Sequence, residues 1–377
     1  MEKKLKVLHA NTGLVAGGAE RLISDMLPIM KHKGIDIELM ILEDKGNNIF
    51  EHSILQNRIP IIKLPFNNKF DIRNIMKIRK AISDFDIVHV HIFPMLYLVA
   101  IASIGLKKKP ILITTEHNTH NRRRDHKILR YIEKFIYSKY DSIISISPET
   151  EIRLLEWLKI KKNSKFLTIL NGINIDRFKN AQPSNIGELI NKKNNKDDKF
   201  LLMVARFDSQ KDHGTLFRAL TLVPESIKLI LVGEGVLEEK YKLLAKELGI
   251  NNRVFFLGKR TDVETITKSI DVAILSSNWE GFGLVVVEAM AAGKPVIASK
   301  VPGVENIVKE YGILFEKGDY RELAKKIVEL MNNKKLYNSY VSKSLKRAEY
   351  YNIKKMVDEY ISLYKNLTNK NNNLNMK

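Results

Sequence analysis

Cysteine is absent from all 377 residues, which excludes a disulfide framework and thiolate metal ligands and fits a reducing compartment. No apolar run approaches the ~18 to 20 residues that a membrane-spanning helix needs. The opening Met1-Glu2-Lys3-Lys4-Leu5 leads directly into a strand-like segment, not into a signal peptide. The expected location is therefore the cytoplasm. Patterns of stacking aromatics and recognised nucleic-acid motifs are also missing, which argues against a nucleic-acid partner. Acidic residues are outnumbered, 43 Asp and Glu against 63 Lys and Arg, for a net charge of +20. Both halves of the chain share the excess. It is spread through helical segments and loops, so phosphorylated small molecules and an anionic membrane face are the candidate partners.

The length and an apolar content of 44% suffice for about two domains, at ~100 to 200 residues each. Short apolar runs alternate with longer amphipathic stretches, the pattern of α/β domains built on parallel sheets. Strands are expected at 6–10, 35–42, 61–64, 87–92, 111–115, 142–145 and 166–170, then at 200–204, 228–232, 254–257, 272–275, 295–298 and 312–315. Helices are expected at 18–33, 72–83, 123–140 and 149–159, the last opened by an N-cap serine and a first-turn proline in Ser147-Pro148-Glu149. The polar run from Asn191 to Lys199 reads as an exposed loop at a domain boundary. These signals predict a first domain over 1–175, a linker over 176–199 and a second domain over 200–345. They also predict a C-terminal helix at 346–365 that packs back on the first domain, and a disordered tail at 366–377.

The densest chemical signal runs from Asn278 to Pro295. Glu280 and Glu288 stand eight positions apart around a turn holding Gly281 and Gly283. Leu284-Val285-Val286-Val287 alone would suit a buried strand, but Gly293 followed by Pro295 marks a helix end, so 283–292 is expected to be a short buried helix. Its N-terminal N–H groups suit a phosphate. Three other places join this segment: Gly17-Gly18 after the first strand, Arg206 and Lys211 after the first strand of the second half, and His117 at the end of the strand 111–115. Two cations can clamp a diphosphate and stabilise it as a leaving group.

Taken in order, Gly17-Gly18-Ala19-Glu20, the strand Asp86 to His91, Thr115-Glu116-His117, Asn171-Gly172-Ile173-Asn174, Arg206 with Lys211, Val232-Gly233-Glu234-Gly235 and the Glu280 to Glu288 pair resemble the retaining GT-B glycosyltransferases of the family-four group. These are the E-x7-E enzymes of bacterial surface polysaccharide and glycolipid synthesis. The likeness covers almost the whole chain. It implies two Rossmann-like doubly wound domains facing each other across a cleft, and transfer of a hexose from a nucleotide-diphosphate sugar, UDP- or GDP-linked, to a saccharide or lipid-linked saccharide hydroxyl. By resemblance, Glu288 binds the donor ribose, while Arg206, Lys211, Gly17 and Gly18 bind the diphosphate. Glu280 and the backbone of Phe282, Gly283 and Leu284 hold the sugar hydroxyls, with His117 near C6. No cofactor and no metal are implied. Asn174 departs from the family pattern, standing where aspartate is usual.

Two metal patterns compete. Asp84-Phe85-Asp86 spells D-x-D, but at a helix-to-strand junction, and His89, His91, His117, His120 and His126 cluster without carboxylates or cysteines to complete a zinc site. Another nucleotide-sugar chemistry on the same fold, such as epimerisation, is an alternative reading. A non-catalytic basic protein that binds nucleic acid or membrane is a second, from a different class. Lys107-Lys108-Lys109 and Arg122-Arg123-Arg124 motivate attachment to the inner membrane face.

Overall fold

A computed structural model describes residues 4–15, 17–42, 49–65, 71–119, 121–192 and 195–375. His120, Lys193, Asn194, Met376 and Lys377, on which some expectations above rest, lie outside the described residues. The chain divides into two compact units, Met1–Gly172 with Ile353–Lys377, and Ile173–Asn352.

In the first unit, β1 (Lys6–Asn11), β2 (Asp36–Ile41), β3 (Ile61–Lys63), β4 (Ile87–Val90), β5 (Ile111–Glu116), β6 (Ser142–Ser145) and β7 (Phe166–Thr168) form one sheet in the order β3-β2-β1-β4-β5-β6-β7. Every pairing is parallel. A parallel sheet is covered on both faces, so its strands read as apolar runs whose alternate residues enter different cores. Leu8 and Val88 pack in one core, and Val7 and Ile87 in the other. The second core is closed by the helix Ile353–Asn375 through Met356, Val357, Tyr360, Ile361 and Tyr364.

In the second unit, β8 (Lys199–Val204), β9 (Ile227–Val232), β10 (Val254–Phe256), β11 (Val272–Leu275), β12 (Val296–Ser299) and β13 (Ile313–Phe315) form a parallel sheet in the order β10-β9-β8-β11-β12-β13. Both sheets thus step outward from their first strand and then reverse, the Rossmann-like order. Ligands of such sheets bind beyond the carboxyl ends of the strands where the order reverses. That place is β1/β4 in the first unit and β8/β11 in the second.

Several local expectations meet a different structure. The stretch 123–140 is not one helix: a 3-10 turn, Arg122–Asp125, is followed by extended backbone at His126 and the helix Leu129–Ser138. Inward ion pairs from Arg123 to Glu133 and from Arg124 to Glu116 hold the break. The segment 176–199 is no bare linker, since the short helices Ile175–Lys179 and Ile186–Leu189 lie in it. The final helix runs to Asn375, through most of the stretch expected to be disordered. Once Tyr360, Tyr364 and Leu367 are anchored in the core, each further residue adds a helical hydrogen bond with no new nucleation cost.

Candidate functional site

In the second unit the loops after β8 and β11 are stitched together. Ser276 Oγ donates to the carbonyls of Lys211 and Asp212 at 3.2 and 2.9 Å, Asn278 N to Gln210 O at 2.7 Å, and Asn278 Nδ2 to Ser209 O at 2.9 Å. This lacing brings Lys211 Nζ within 2.5 Å of Glu280 Oε1, a nearly buried pair whose side chains are 15% and 7% exposed. Ser277 Oγ donates to the same carboxylate oxygen at 2.7 Å. Arg206, in the same loop, is 70% exposed and pairs with Asp208 Oδ2 at 3.3 Å, so the two expected clamp cations rest on different carboxylates.

Glycines let the loops approach. Gly233, at φ +143, and Gly235 lie against the backbone of Ala205 and Phe207, where an added Cβ would sit 2.1 and 2.4 Å from carbonyl oxygens. Gly303, at φ +90, lies against the Glu280 carbonyl in the same way. Behind this corner, Gly283, at φ +85, precedes the helix Leu284–Ala291. Gly293 N donates to Met290 O and Lys294 N to Ala289 O, both at 3.0 Å, a Schellman ending that outweighs the strand preference of the valines. Phe282 is buried, and Glu288, one turn into the helix, lines a small cavity with Val204, Thr267, Leu275 and Val285. Ser277, Gln210 and Gly303 escape sequence reasoning, since nothing in their spacing ties them to Glu280. Asn174 Oδ1 caps the helix Ile175–Lys179 by accepting from Arg177 N, a role amide and carboxylate fill alike.

In the first unit, Gly17 caps the helix Gly18–His32, and an added Cβ on it would meet Glu20 Oε2 at 2.2 Å. Glu20 therefore lies against the turn at the helix N-terminus. His117 follows β5 and is held from two sides. Glu116 accepts from Tyr137 Oη at 2.6 Å and from Asn118 N at 3.2 Å, and His91 Nδ1 faces His117 Nε2 at 3.3 Å. Burial lowers the His117 pKa to about 4 and that of His9 to about 3. His9, His89 and His91 place ring nitrogens within 4.8 Å of one another. Asp86 of the D-x-D accepts from Lys6 N at 2.9 Å at the amino end of the sheet, opposite the ligand-binding edge.

The basic patches differ in kind. Arg123 and Arg124 turn inward, whereas Lys107, Lys108 and Lys109 are exposed. The outer face of Leu129–Ser138 carries an apolar stripe: Ile128 and Tyr131 are 72% and 73% exposed, Ile132 and Phe135 46% and 50%. Lys127 and Lys134 are exposed on and beside it, Lys139 Nζ lies 4.3 Å over the Phe135 ring, and Lys109 Nζ donates to Lys139 O at 3.1 Å. No helix among the described residues is long and apolar enough to cross a membrane.

Comparison with known proteins places these features in a class. Residues 16–177 match the family model described as Glycosyltransferase Family 4, and residues 186–347 match the model described as Glycosyl transferases group 1. An uncharacterized glycosyltransferase of Haemophilus influenzae is 29% identical over 95% of this chain and 99% of its own. The UDP-Gal:alpha-D-GlcNAc-diphosphoundecaprenol alpha-1,3-galactosyltransferase of Escherichia coli is 26% identical over 96% and 97%. HepE of Anabaena, solved with UDP and glucose, superposes with a TM-score of 0.84 over 96% of this chain and 100% of its own, at 21% identity, and so speaks for the fold. Two Rossmann-like units, a laced corner at a strand-order reversal and two adjoining family matches together support a glycosyltransferase of the GT-B, family-four type.

Proposed function

We propose that the chain is a retaining hexosyltransferase that uses a nucleotide-diphosphate sugar, with UDP as the first base to test, and delivers the sugar to a hydroxyl of a saccharide or lipid-linked saccharide. The observation that carries this reading is the Lys211–Glu280 pair at the carboxyl ends of β8 and β11, in front of the helix that Gly283 caps. In the absence of donor, Glu280 holds the ammonium in place. A diphosphate brought to this corner meets Lys211 and the turn at Gly283, with the exposed Arg206 able to rotate away from its half-buried partner Asp208, while the N–H groups of Phe282, Gly283 and Leu284 face the hydroxyls of the transferred sugar. Glu288 takes the ribose hydroxyls, the backbone near Gly258 the base, and Glu280 the hydroxyls of the transferred sugar. By the resemblance of their sequence motifs, Gly17 and Gly18 are assigned to phosphate and His117 to the sugar.

In the reaction, the bond from the anomeric carbon to the phosphate oxygen breaks and the acceptor oxygen bonds to that carbon on the same face. The acceptor's proton passes to the departing phosphate. Negative charge grows on the phosphate as the bond breaks, so Lys211 and Arg206 bind the transition state more tightly than the ground state. Lysine and arginine supply that charge, and the scheme invokes no divalent cation. The E. coli relative's acceptor, a diphosphoundecaprenol-linked sugar, supports a lipid-linked acceptor and a role in surface polysaccharide synthesis. The apolar stripe with its lysines supports peripheral contact with an anionic membrane face.

A screen of UDP- and GDP-hexoses for nucleotide release, with the anomeric configuration of any product read by NMR, tests this reading. An α-linked product from an α-linked donor is expected. Inversion, or no release with any donor while the chain binds nucleic acid, would sink it.

A further inference from the structure

On the sheet face covered by the helix Ile353–Asn375, four histidines and two tyrosines are joined by hydrogen bonds. His9 Nδ1 and His91 Nε2 are 2.9 Å apart, and His91 Nδ1 and His117 Nε2 are 3.3 Å apart. Tyr364 Oη lies 2.6 Å from His89 Nδ1 and 3.4 Å from His9 Nε2. His89 Nε2 continues to Thr115 Oγ1 at 2.7 Å, and Thr115 Oγ1 to Tyr360 Oη at 3.3 Å. Burial keeps the rings neutral: the pKa values of His89 and His91, like those of His9 and His117, lie well below the usual imidazole range.

A neutral imidazole has one N–H and one bare nitrogen, and a bond between two ring nitrogens needs one N–H. The proton position on one ring therefore dictates the next. The phenol of Tyr364 has one proton, and its shorter contact assigns that proton to His89 Nδ1. Its oxygen then accepts from His9 Nε2–H. His9 Nδ1, left bare, accepts from His91 Nε2–H, and His91 Nδ1 accepts from His117 Nε2–H. His89, having accepted at Nδ1, donates from Nε2 to Thr115. The assignment leaves no conflict, and among the described residues nothing bonds to His117 Nδ1.

We propose that Tyr364, His9 and His91 are positioning residues that hold His117 in its Nε2–H tautomer, so that His117 offers a bare Nδ1 as an acceptor for a ligand hydroxyl. That the hydroxyl belongs to a sugar rests on the function proposed above; the tautomer lock does not. Zinc is the competing occupant of the cluster, but coordination would take lone pairs that already carry these bonds.

Selective 15N-histidine labelling of the full chain, read by long-range proton–nitrogen correlation near neutral pH, reports each tautomer, with His117→Gln identifying the His117 signals. Wild type should show Nε2–H and a bare Nδ1 for His9, His91 and His117. Tyr364→Phe removes the acceptor at the far end. His91→Asn keeps a partner for His117 but cuts the link to His9. In either variant the His117 nitrogens should shift toward the average of the two tautomers. An Nδ1–H form of His117 in wild type, an unchanged His117 pattern in both variants, or stoichiometric zinc uptake that abolishes these correlations would overturn the proposal. A locked tautomer in a chain that turns over no nucleotide sugar would instead support the lock and overturn the functional reading.

Discussion

The carbonyl oxygen of Glu280 lies 2.5 Å from the position a β-carbon on Gly303 would take, and Gly303 sits at φ +90. The loop that carries the site's first carboxylate is therefore held by a residue from the next βα connection. Gly303→Ala cannot keep both the backbone conformation and the contact. The expected cost is about 1–3 kcal/mol in urea unfolding, with a larger loss of transfer than Gly249→Ala causes, since Gly249 shares the left-handed backbone, at φ +67, but nothing lies within 4 Å of an added Cβ there. Equal activity in the two variants would remove Gly303 from the site's support.

Lys211→Ala leaves Glu280 nearly buried without its cation. It should destabilise the second unit by about 3 kcal/mol and cut kcat far more than it raises KM. Adding Glu280→Gln should recover most of the stability and none of the turnover. Glu288→Ala should raise the donor KM with a smaller change in kcat. Thermal melts combined with steady-state kinetics separate these effects, and full activity in Lys211→Ala and Glu288→Ala would refute the site.

Acid should weaken the fold earlier than carboxylate titration alone predicts. His9 and His117 are depressed to about 3 and about 4, His213 to about 3, and His89 and His91 also lie low. As pH falls through ~6.5 the unfolded chain takes up these protons and the folded chain does not, so stability drops. Each such histidine contributes a slope of up to about 1.4 kcal/mol per pH unit between ~6 and its folded value. Above ~7.5 their contribution is flat. Urea titrations at stepped pH should show a shallower slope for His213→Phe than for wild type.

Membrane contact should depend on the stripe as well as on charge. Wild type should float with anionic vesicles at low salt and less at moderate salt. Tyr131→Ser with Phe135→Ser should abolish flotation without changing the fold, because both side chains are at least half exposed. Flotation by this double variant equal to that of wild type would leave the surface unexplained.

Much of the fold is legible in the chain because parallel strands buried on both faces read as unbroken apolar runs, such as Ile227–Val232. Each strand of both sheets lies within two residues of an expected run. The helix Met95–Ala102 escapes for the converse reason: it is buried nearly all round and shows no amphipathic period. At the candidate site, residue types and order point to the loops after β8 and β11, but not to which charges meet there. Lys211 and Glu280 are 69 positions apart, and only the lacing through Ser276 and Asn278 pairs them. His9 is overlooked because a single histidine in an apolar strand reads as core. Its partner Tyr364 is 355 positions away.

The first unit is built from both ends of the chain, with Gly172 N bonded to Met356 Sδ at 3.2 Å. Made on a ribosome, the second unit has all its residues before the first can close its core, because Tyr360 and Tyr364 emerge last. Until then one face of the first sheet, with His9 and His89 lacking their Tyr364 partner, stays uncovered. The nascent chain therefore carries an exposed apolar surface through the synthesis of some 180 residues, an interval in which chaperone capture or aggregation competes with completion.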